Sequence, residues 1–308
     1  MKETLDKIAN ILELNVHNIN SISLLEGKIG IVLFFYHYGR YSDNKVYSDI
    51  ADRLSESVLD SFGKNIDMSF DQGITGFAWA IRYLVRHNFA EGNPDEILSD
   101  IEDILLNKYI IDSESKIPIS ALGMYFRSML ADDPNIEKHD KIINIILDKY
   151  RFYFLCFINN PRPITYINSA LSVLSILLSY DKYKNEAERI IFQILLHFPN
   201  EESLIQIDKS ELKTLYKLLS SIKFISEEKE TVIRNIEKIY DFNSDNEASI
   251  EYLWQHFFYF PIEKSSLDLK VVNKFIEDNY TSLPQKNPLS LYKGLAGIGL
   301  HLILQEEL

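Results

Sequence analysis

The sequence predicts an all-α fold of seven helical hairpins, because one motif recurs along the chain at nearly constant spacing. A small polar lead-in, a glycine, two residues, a second glycine and an apolar helical run occur in segments 23–36, 69–84 and 290–304. The positions that open successive inner helices recur about every 44 residues, a period typical of helical repeat proteins. Elsewhere the apolar residues lie at helical spacing, and no convincing strand pattern is found.

Each predicted hairpin pairs an amphipathic outer helix with a more apolar inner helix. The outer helices are predicted near 3–14, 45–61, 95–107, 137–150, 185–197, 228–240 and 267–279. The inner helices are predicted to begin near 27, 73, 120, 169, 210, 249 and 294. Glycines are expected at close contacts between inner helices, where a larger side chain would push the backbones apart. These structural glycines are Gly27, Gly30, Gly73, Gly76, Gly123, Gly294 and Gly297.

The two ends of the repeat series favour a closed ring over an open array. Open arrays usually end in atypical, polar repeats, whereas here the first and last repeats are the most regular and carry the most apolar helices. Exposed ends of that kind would form a large apolar patch. Closure of the seventh repeat onto the first removes this patch, so the sequence predicts one α/α toroid domain over 1–308.

Charge and cysteine content limit the classes of function. The net charge of −13 repels phosphate backbones and anionic lipids, so neither nucleic-acid binding nor membrane insertion is expected. The single cysteine, Cys156, lies in an apolar run and is interpreted as a buried small hydrophobe. The charged N-terminal segment does not resemble a signal peptide, and no run approaches the roughly 18 apolar residues of a membrane span. We therefore expect a cytoplasmic protein.

Three glycine segments resemble the signatures of lanthionine synthetase C-like (LanC-like) proteins. They are Leu-Glu-Gly-Lys-Ile-Gly-Ile at 25–31, Gly-Ile-Thr-Gly-Phe-Ala-Trp-Ala at 73–80 and Gly-Leu-Ala-Gly-Ile-Gly at 294–299. The resemblance implies a toroid of seven inner and seven outer helices. It also implies cyclisation of ribosomally made peptides at a zinc ion, held by two cysteines and one histidine, that activates a peptide thiolate. The implied partners are a precursor peptide and peptide-modifying enzymes.

The chain departs from that family at the zinc-ligand positions. Asp208 stands at one cysteine position, Glu247 and Ala248 stand where the family has Cys-His, and Asn168 stands at a further histidine position. Two carboxylates without a third ligand make a poor zinc site, so neither zinc nor another cofactor is expected. With this departure, the resemblance implies a pseudoenzyme that binds a peptide or a partner enzyme of peptide maturation.

The candidate binding residues each have a structural interpretation beside the functional one. Glu26 and Asp71 lie on turns that enter inner helices, where acidic side chains cap N-termini. As paired carboxylates they would instead suit a hydrolase of the kind found on ring-shaped helical folds. His301 lies on the same helix face as the glycines and is either packed in the ring or directed into its cavity. The alternative function is therefore a divergent enzyme, either a peptide cyclase or a carboxylate-based hydrolase, with unassigned catalytic residues.

A closed ring would gather five of these candidates at one opening. The inner helices of a toroid run in the same direction, so the turns before them share one end. The predicted group is Glu26, Asp71, Asn168, Asp208 and Glu247. Its charge favours a cation or the basic part of a peptide.

Overall fold

The computed structural model of the chain describes residues 1–61, 67–111, 119–133, 135–155, 163–198, 204–223, 226–240, 250, 253, 258–259, 268–280 and 288–307. For 106–111, 119–121 and 155 it describes the backbone alone. Among the described helices, none combines the length and the apolar content that crossing a lipid bilayer requires.

Within these ranges the chain is all-helical and contains no β-strand, as the apolar periodicity predicts. The α-helices are α1 (Lys2–Asn15), α2 (Lys28–Ser42), α3 (Lys45–Asp60), α4 (Ile74–Arg86), α5 (Pro94–Ile97), α6 (Ser99–Ile111), α7 (Ile119–Asp132), α8 (Asp140–Leu155), α9 (Ile164–Leu177), α10 (Asp181–Leu196), α11 (Lys209–Ser221), α12 (Glu227–Ile239), α13 (Leu269–Tyr280) and α14 (Leu295–Glu306). Short 3-10 helices occupy Val16–Asn18 and Ile136–His139.

Most predicted helices match the observed ones to within two residues, but several differ. Helix α9 begins at Ile164 rather than near 169, α10 begins at Asp181 rather than near 185, and α8 spans Asp140–Leu155 rather than 137–150. The outer helix predicted near 95–107 is divided at Leu98 into α5 and α6. Pro94 occupies the first turn of α5, where a missing N–H costs nothing. The inner helix predicted from near 249 falls largely outside the described residues.

The chain divides into two compact units, which are treated separately below. Unit 1 comprises Met1–Ile101 and Asn246–Leu308, and unit 2 comprises Glu102–Asp245. The single toroid predicted over 1–308 concerns both units together, and it stays a prediction.

In unit 1, α2 packs against α1, α3, α4 and α14, and α1 also packs against α13 and α14. The first and last repeats are therefore in contact, as ring closure requires. Helix α2 is buried on nearly every side from Ile29 to Gly39, whereas α3 buries only one face, represented by Ile50, Leu54 and Val58. This difference separates an inner from an outer helix.

Unit 2 has the same arrangement of inner and outer helices, with contacts along each of the two series. Helix α9 lies between α7 and α11 in the inner series, and α10 contacts α8 and α12 in the outer series. The inner helix α9 carries an apolar surface together with buried Ser169 and Ser172.

Candidate functional site

The inner helices of unit 1 begin at three similar turns, which we call the glycine turns: 21–27, 67–73 and 288–294. In each turn the chain wraps around the start of the following helix. The first helical N–H donates to a carbonyl seven residues earlier: Lys28 to Ser21 at 3.0 Å, Ile74 to Asp67 at 2.8 Å, and Leu295 to Pro288 at 3.2 Å. The turns thus satisfy N–H groups that would otherwise lack an intrahelical partner.

The first glycine of each pair is required by this wrapping. Gly27, Gly73 and Gly294 are the N-cap residues and have ordinary extended backbone angles. A Cβ on any of them would overlap the backbone of its own turn. None of the three helices has a side-chain cap. The interpretation of Glu26 and Asp71 as capping side chains is therefore wrong, because backbone carbonyls already receive these N–H groups.

The second glycine lies where one repeat meets the next. A Cβ on Gly30 would lie 2.7 Å from the Leu291 side chain, and one on Gly76 would lie 3.1 Å from Leu24 Cβ. These leucines belong to the neighbouring glycine turns, so the close contacts are with turns rather than with helix bodies. In unit 2, a Cβ on Gly123 would approach the Val173 side chain at 3.0 Å. Gly30, Gly76 and Gly297 are buried, as predicted, and Gly123 is buried too.

Main-chain hydrogen bonds join the three glycine turns side by side. The Tyr292 N–H donates to the Leu25 carbonyl at 2.7 Å, and the Leu25 N–H donates to the Asp71 carbonyl at 3.2 Å. The Ser290 hydroxyl also donates to the Leu25 carbonyl, at 2.7 Å. In each turn, the residue that makes these main-chain bonds is the second residue after the turn's serine. The two pairs of neighbouring turns are therefore joined in the same register. Glu26 and Asp71 are consequently carried by adjoining turns.

A cavity of about 350 Å³ opens beside two of these turns and the end of α1. Its polar walls are formed by Asn15, Asn18, Glu26, Ser290, Tyr292 and Lys293. Its apolar walls are formed by Ile19, Pro288 and Leu289. A partly open cleft that combines apolar walls with a few polar groups can hold a ligand, and this volume lies at the lower end of the range common for binding sites.

The charged groups of this cavity occupy equivalent positions in different turns. Lys293, Glu26 and Gln72 each directly precede the first glycine of a pair. Gln72 Nε2 donates to Glu26 Oε2 at 3.4 Å, and Glu26 and Asp71 are both exposed. Lys293 has a left-handed backbone (φ 50°), and its ammonium lies 5.4 Å from the Tyr292 ring centroid.

Sequence reasoning identified Glu26 but missed most of the other cavity residues. The position before each first glycine was a usable signal for Lys293, because the three turns can be aligned on their glycines. No comparable signal pointed to Asn15 or Asn18, which belong to the end of α1 and the 3-10 helix after it.

In unit 2, the regions of the candidate residues Asn168 and Asp208 lie close together. Asn168 on α9 is fully buried, and its Nδ2 donates to the backbone carbonyl of Glu211 at 3.0 Å and to its Oε2 at 2.7 Å. Glu211 belongs to the first turn of α11, which Asp208 caps by accepting from the Ser210 N–H at 2.9 Å. Asp208 is therefore the N-cap residue of α11. Glu211 was missed, although its spacing from Asp208 is that of a capping box.

These residues do not fit the zinc site that the family resemblance implies. The Asn168 amide is held by Glu211, and the Asp208 carboxylate is engaged by its own helix. Among the residues that the structure describes, no group of three or more His, Cys, Asp or Glu could hold a metal ion. Glu247 and Cys156 lie outside the described residues, so the absence of zinc stays a prediction. The shared opening of the five candidates also stays a prediction, since it spans both units.

Among the described residues of unit 1, two histidines are buried. His301 on α14 is 5 % exposed, and a ligand role for it stays a prediction. His37 on α2, which sequence reasoning missed, is fully buried, with Nε2 2.7 Å from the Tyr83 hydroxyl and Nδ1 3.9 Å from Glu307 Oε1. Burial, helped by His87 and the nearby Arg40, lowers the pKa of His37 to about 3.

Comparison with known proteins identifies no relative. No family model, no curated protein and no solved structure matches the chain.

Proposed function

We propose that this chain is a non-catalytic, LanC-like protein that binds a peptide, or a peptide segment of a partner enzyme, at the glycine turns of unit 1. Its place in the maturation of ribosomally made peptides rests on the resemblance of the glycine motifs alone. The proposal extends the toroid architecture to the whole chain, with the glycine turns at one mouth of the ring and the protein acting in the cytoplasm.

The observation that carries the proposal is the cavity beside the joined turns. It combines apolar walls with the side-chain amides of Asn15 and Asn18, which are suited to the N–H and carbonyl groups of an extended peptide. Glu26 lies in the cavity wall and Asp71 on the adjoining turn, so a ligand with positive charge is favoured there. The chain's net charge of −13 also steers positively charged ligands towards the protein.

A direct binding measurement tests this proposal. The ligand is a fluorescently labelled peptide of about twenty residues, containing lysines and leucines in a Gly/Ser background, and the control peptide has glutamate in place of lysine. We expect the lysine peptide to bind, and the Glu26→Gln/Asp71→Asn variant to weaken its binding about tenfold at low salt.

A charge-matched variant controls for net charge. Glu13 and Asp49 are exposed acidic residues on α1 and α3, and the Glu13→Gln/Asp49→Asn variant should bind like the parent. Equal affinities of all three proteins, or the same loss in both variants, would remove the glycine turns as the binding site.

The alternative, a divergent enzyme of the same fold, is favoured by one observation in unit 2. Glu211 is a buried carboxylate that Asn168 orients at 2.7 Å, as a catalytic acid or base would be held. Metal analysis of protein purified without chelator, followed by assays for peptide cyclisation and glycoside hydrolysis, separates the two functions. Stoichiometric zinc or turnover lost on Glu211→Gln would favour the enzyme.

A further inference from the structure

We propose that the cavity selects a two-residue element of its peptide, in which a single basic side chain adjoins an apolar one. This inference rests on the proposed function and adds the chemistry of the ligand. The juxtaposition that supports it is the apolar wall of Ile19, Pro288 and Leu289 beside the Glu26 carboxylate in one cavity of about 350 Å³.

The apolar wall provides the first half of the recognition. Leu289 is only 7 % exposed, so the apolar surface left for a ligand belongs mainly to exposed Pro288 and half-buried Ile19. An aliphatic side chain placed against them would remove apolar surface from water on both partners. A serine at the same place would gain little from this wall.

Glu26 provides the second half. It is exposed, and its Oε2 accepts a hydrogen bond from Gln72 that is long, at 3.4 Å. A lysine or arginine of the ligand can therefore approach the carboxylate without displacing a strong internal partner.

Lys293 restricts the ligand to one basic residue at this place. Its side chain lines the same cavity, with the ammonium 5.4 Å from the Tyr292 ring centroid. A second cation in the cavity would face this like charge, which disfavours a run of basic residues. The selected element is therefore an apolar–basic pair rather than a polybasic segment.

Backbone contacts complete the fit. Asn15 Nδ2 donates to the Ile11 carbonyl at 2.8 Å, which leaves Asn15 Oδ1 as an acceptor for a peptide N–H. Asn18 is exposed and offers both amide functions. These contacts do not depend on the ligand's sequence and hold the element in register.

The test uses four labelled peptides of about ten residues, which place Leu-Lys, Ser-Lys, Leu-Ser or four consecutive lysines in a Gly/Ser background. The full-length protein should bind the Leu-Lys peptide about tenfold more tightly than each of the others. Glu26→Gln should abolish the preference for lysine and keep that for leucine. Ile19→Ser should do the reverse, and circular dichroism with thermal melting establishes that both variants are folded.

The outcomes separate this inference from the proposed function. If the twenty-residue peptide binds but the four short peptides bind equally, or if the lysine run binds as tightly as Leu-Lys, the inference is wrong and the proposed function stands. If no peptide binds, both are wrong. Self-association of the protein that is lost in Ile19→Ser would also overturn the inference, because a second copy would then occupy the cavity.

Discussion

Units 1 and 2 start and join their inner helices by different chemistry. In unit 1 the helix N–H groups donate to backbone carbonyls of the glycine turns, and main-chain hydrogen bonds connect adjoining turns. In unit 2, α11 begins at the Asp208 carboxylate, and side chains connect the helices. Asn168 donates from α9 to Glu211 on α11, and Arg127 donates from α7 to the Ser172 carbonyl at 2.8 Å.

The difference determines which residues can vary without loss of the fold. In unit 1, where main-chain hydrogen bonds join the turns, the glycines cannot be replaced because there is no space for a side chain. The residue before the first glycine has no such restriction. Lys293, Glu26 and Gln72 occupy that position in the three turns and differ in charge. Where side chains make the connection, the polar residues are themselves constrained. Unit 1 can therefore carry a variable binding surface on a constant frame.

The largest expected effect tests the glycine frame directly. Gly76→Ala should lower the free energy of unfolding by about 2–3 kcal/mol, because its Cβ would overlap the Phe70 carbonyl, which cannot move without breaking the turn. Gly39→Ala is the matched control, since there the nearest atom is the Ser48 hydroxyl, which can rotate away, and the nearest backbone atom, Ser48 N, is 3.1 Å from the added Cβ, farther than the Phe70 carbonyl is at Gly76. Urea unfolding measures both, and equal stabilities would contradict the role of the turn.

The side-chain connection of unit 2 should be the next most sensitive. Asn168→Ala should lower the free energy of unfolding by about 2 kcal/mol, because it removes a buried amide that donates to Glu211. Asn15→Ala is the control, since the Asn15 amide donates to the Ile11 carbonyl within the same helix. Its loss should cost less than about 1 kcal/mol. The same loss in both variants would show that the contact between α9 and α11 has no special importance.

Acid should weaken unit 1 through His37. In the folded protein its pKa is lowered to about 3, whereas in the unfolded chain it is near 6.5. The unfolded state therefore binds the extra proton between these values, so this stabilising contribution is complete above about pH 6.5 and falls by at most about 1.4 kcal/mol per pH unit below it. Urea unfolding of the parent and of His37→Gln between about pH 7 and pH 5 measures this slope.

Two observations control the pH experiment. His17 is exposed, so His17→Gln should keep the slope of the parent. Hydrogen exchange should show that protection falls in α2 and α4 before it falls in α9 and α11. A parent whose slope matches that of His37→Gln would exclude His37 as the cause.

The smallest effect compares a carboxylate that caps a helix with one that does not. Asp208→Ala should cost about 1 kcal/mol, because the Ser210 N–H loses its acceptor. Glu26→Gln should change the free energy of unfolding by less than about 0.5 kcal/mol, since Gly27 is the N-cap of α2 and no side-chain cap is lost. Thermal melting of the two variants suffices, and equal shifts would contradict the assignment of caps.

Helices were predictable from the sequence because local periodicity determines them. The helices predicted at 45–61 and 228–240 lie within one residue of the observed α3 and α12, and the start predicted near 210 lies within one residue of the start of α11. The division at Leu98 was missed because the apolar spacing continues through it.

The sites were less predictable because their partners are distant along the chain. Asn168 and Glu211 are 43 residues apart, and the cavity joins the end of α1 to the turn before α14. Nothing in the local pattern at His37 distinguishes it from the apolar residues around it. Three-dimensional packing selects which polar residues meet, and a single sequence does not encode that choice in any short window.

The hydrogen bond from Tyr292 to Leu25 joins two segments that the ribosome makes at different times. Unit 1 can therefore be completed only after the C-terminal segment has been synthesised. Unit 2 is one continuous segment, whereas unit 1 needs both Met1–Ile101 and Asn246–Leu308. Contacts between distant segments form late, because closing the intervening chain costs entropy before those contacts stabilise anything. We expect unit 2 to fold while the ribosome is still translating the C-terminal segment. The apolar surface of α2 stays uncovered until α14 is made, and it is the surface a chaperone would have to shield in the nascent chain.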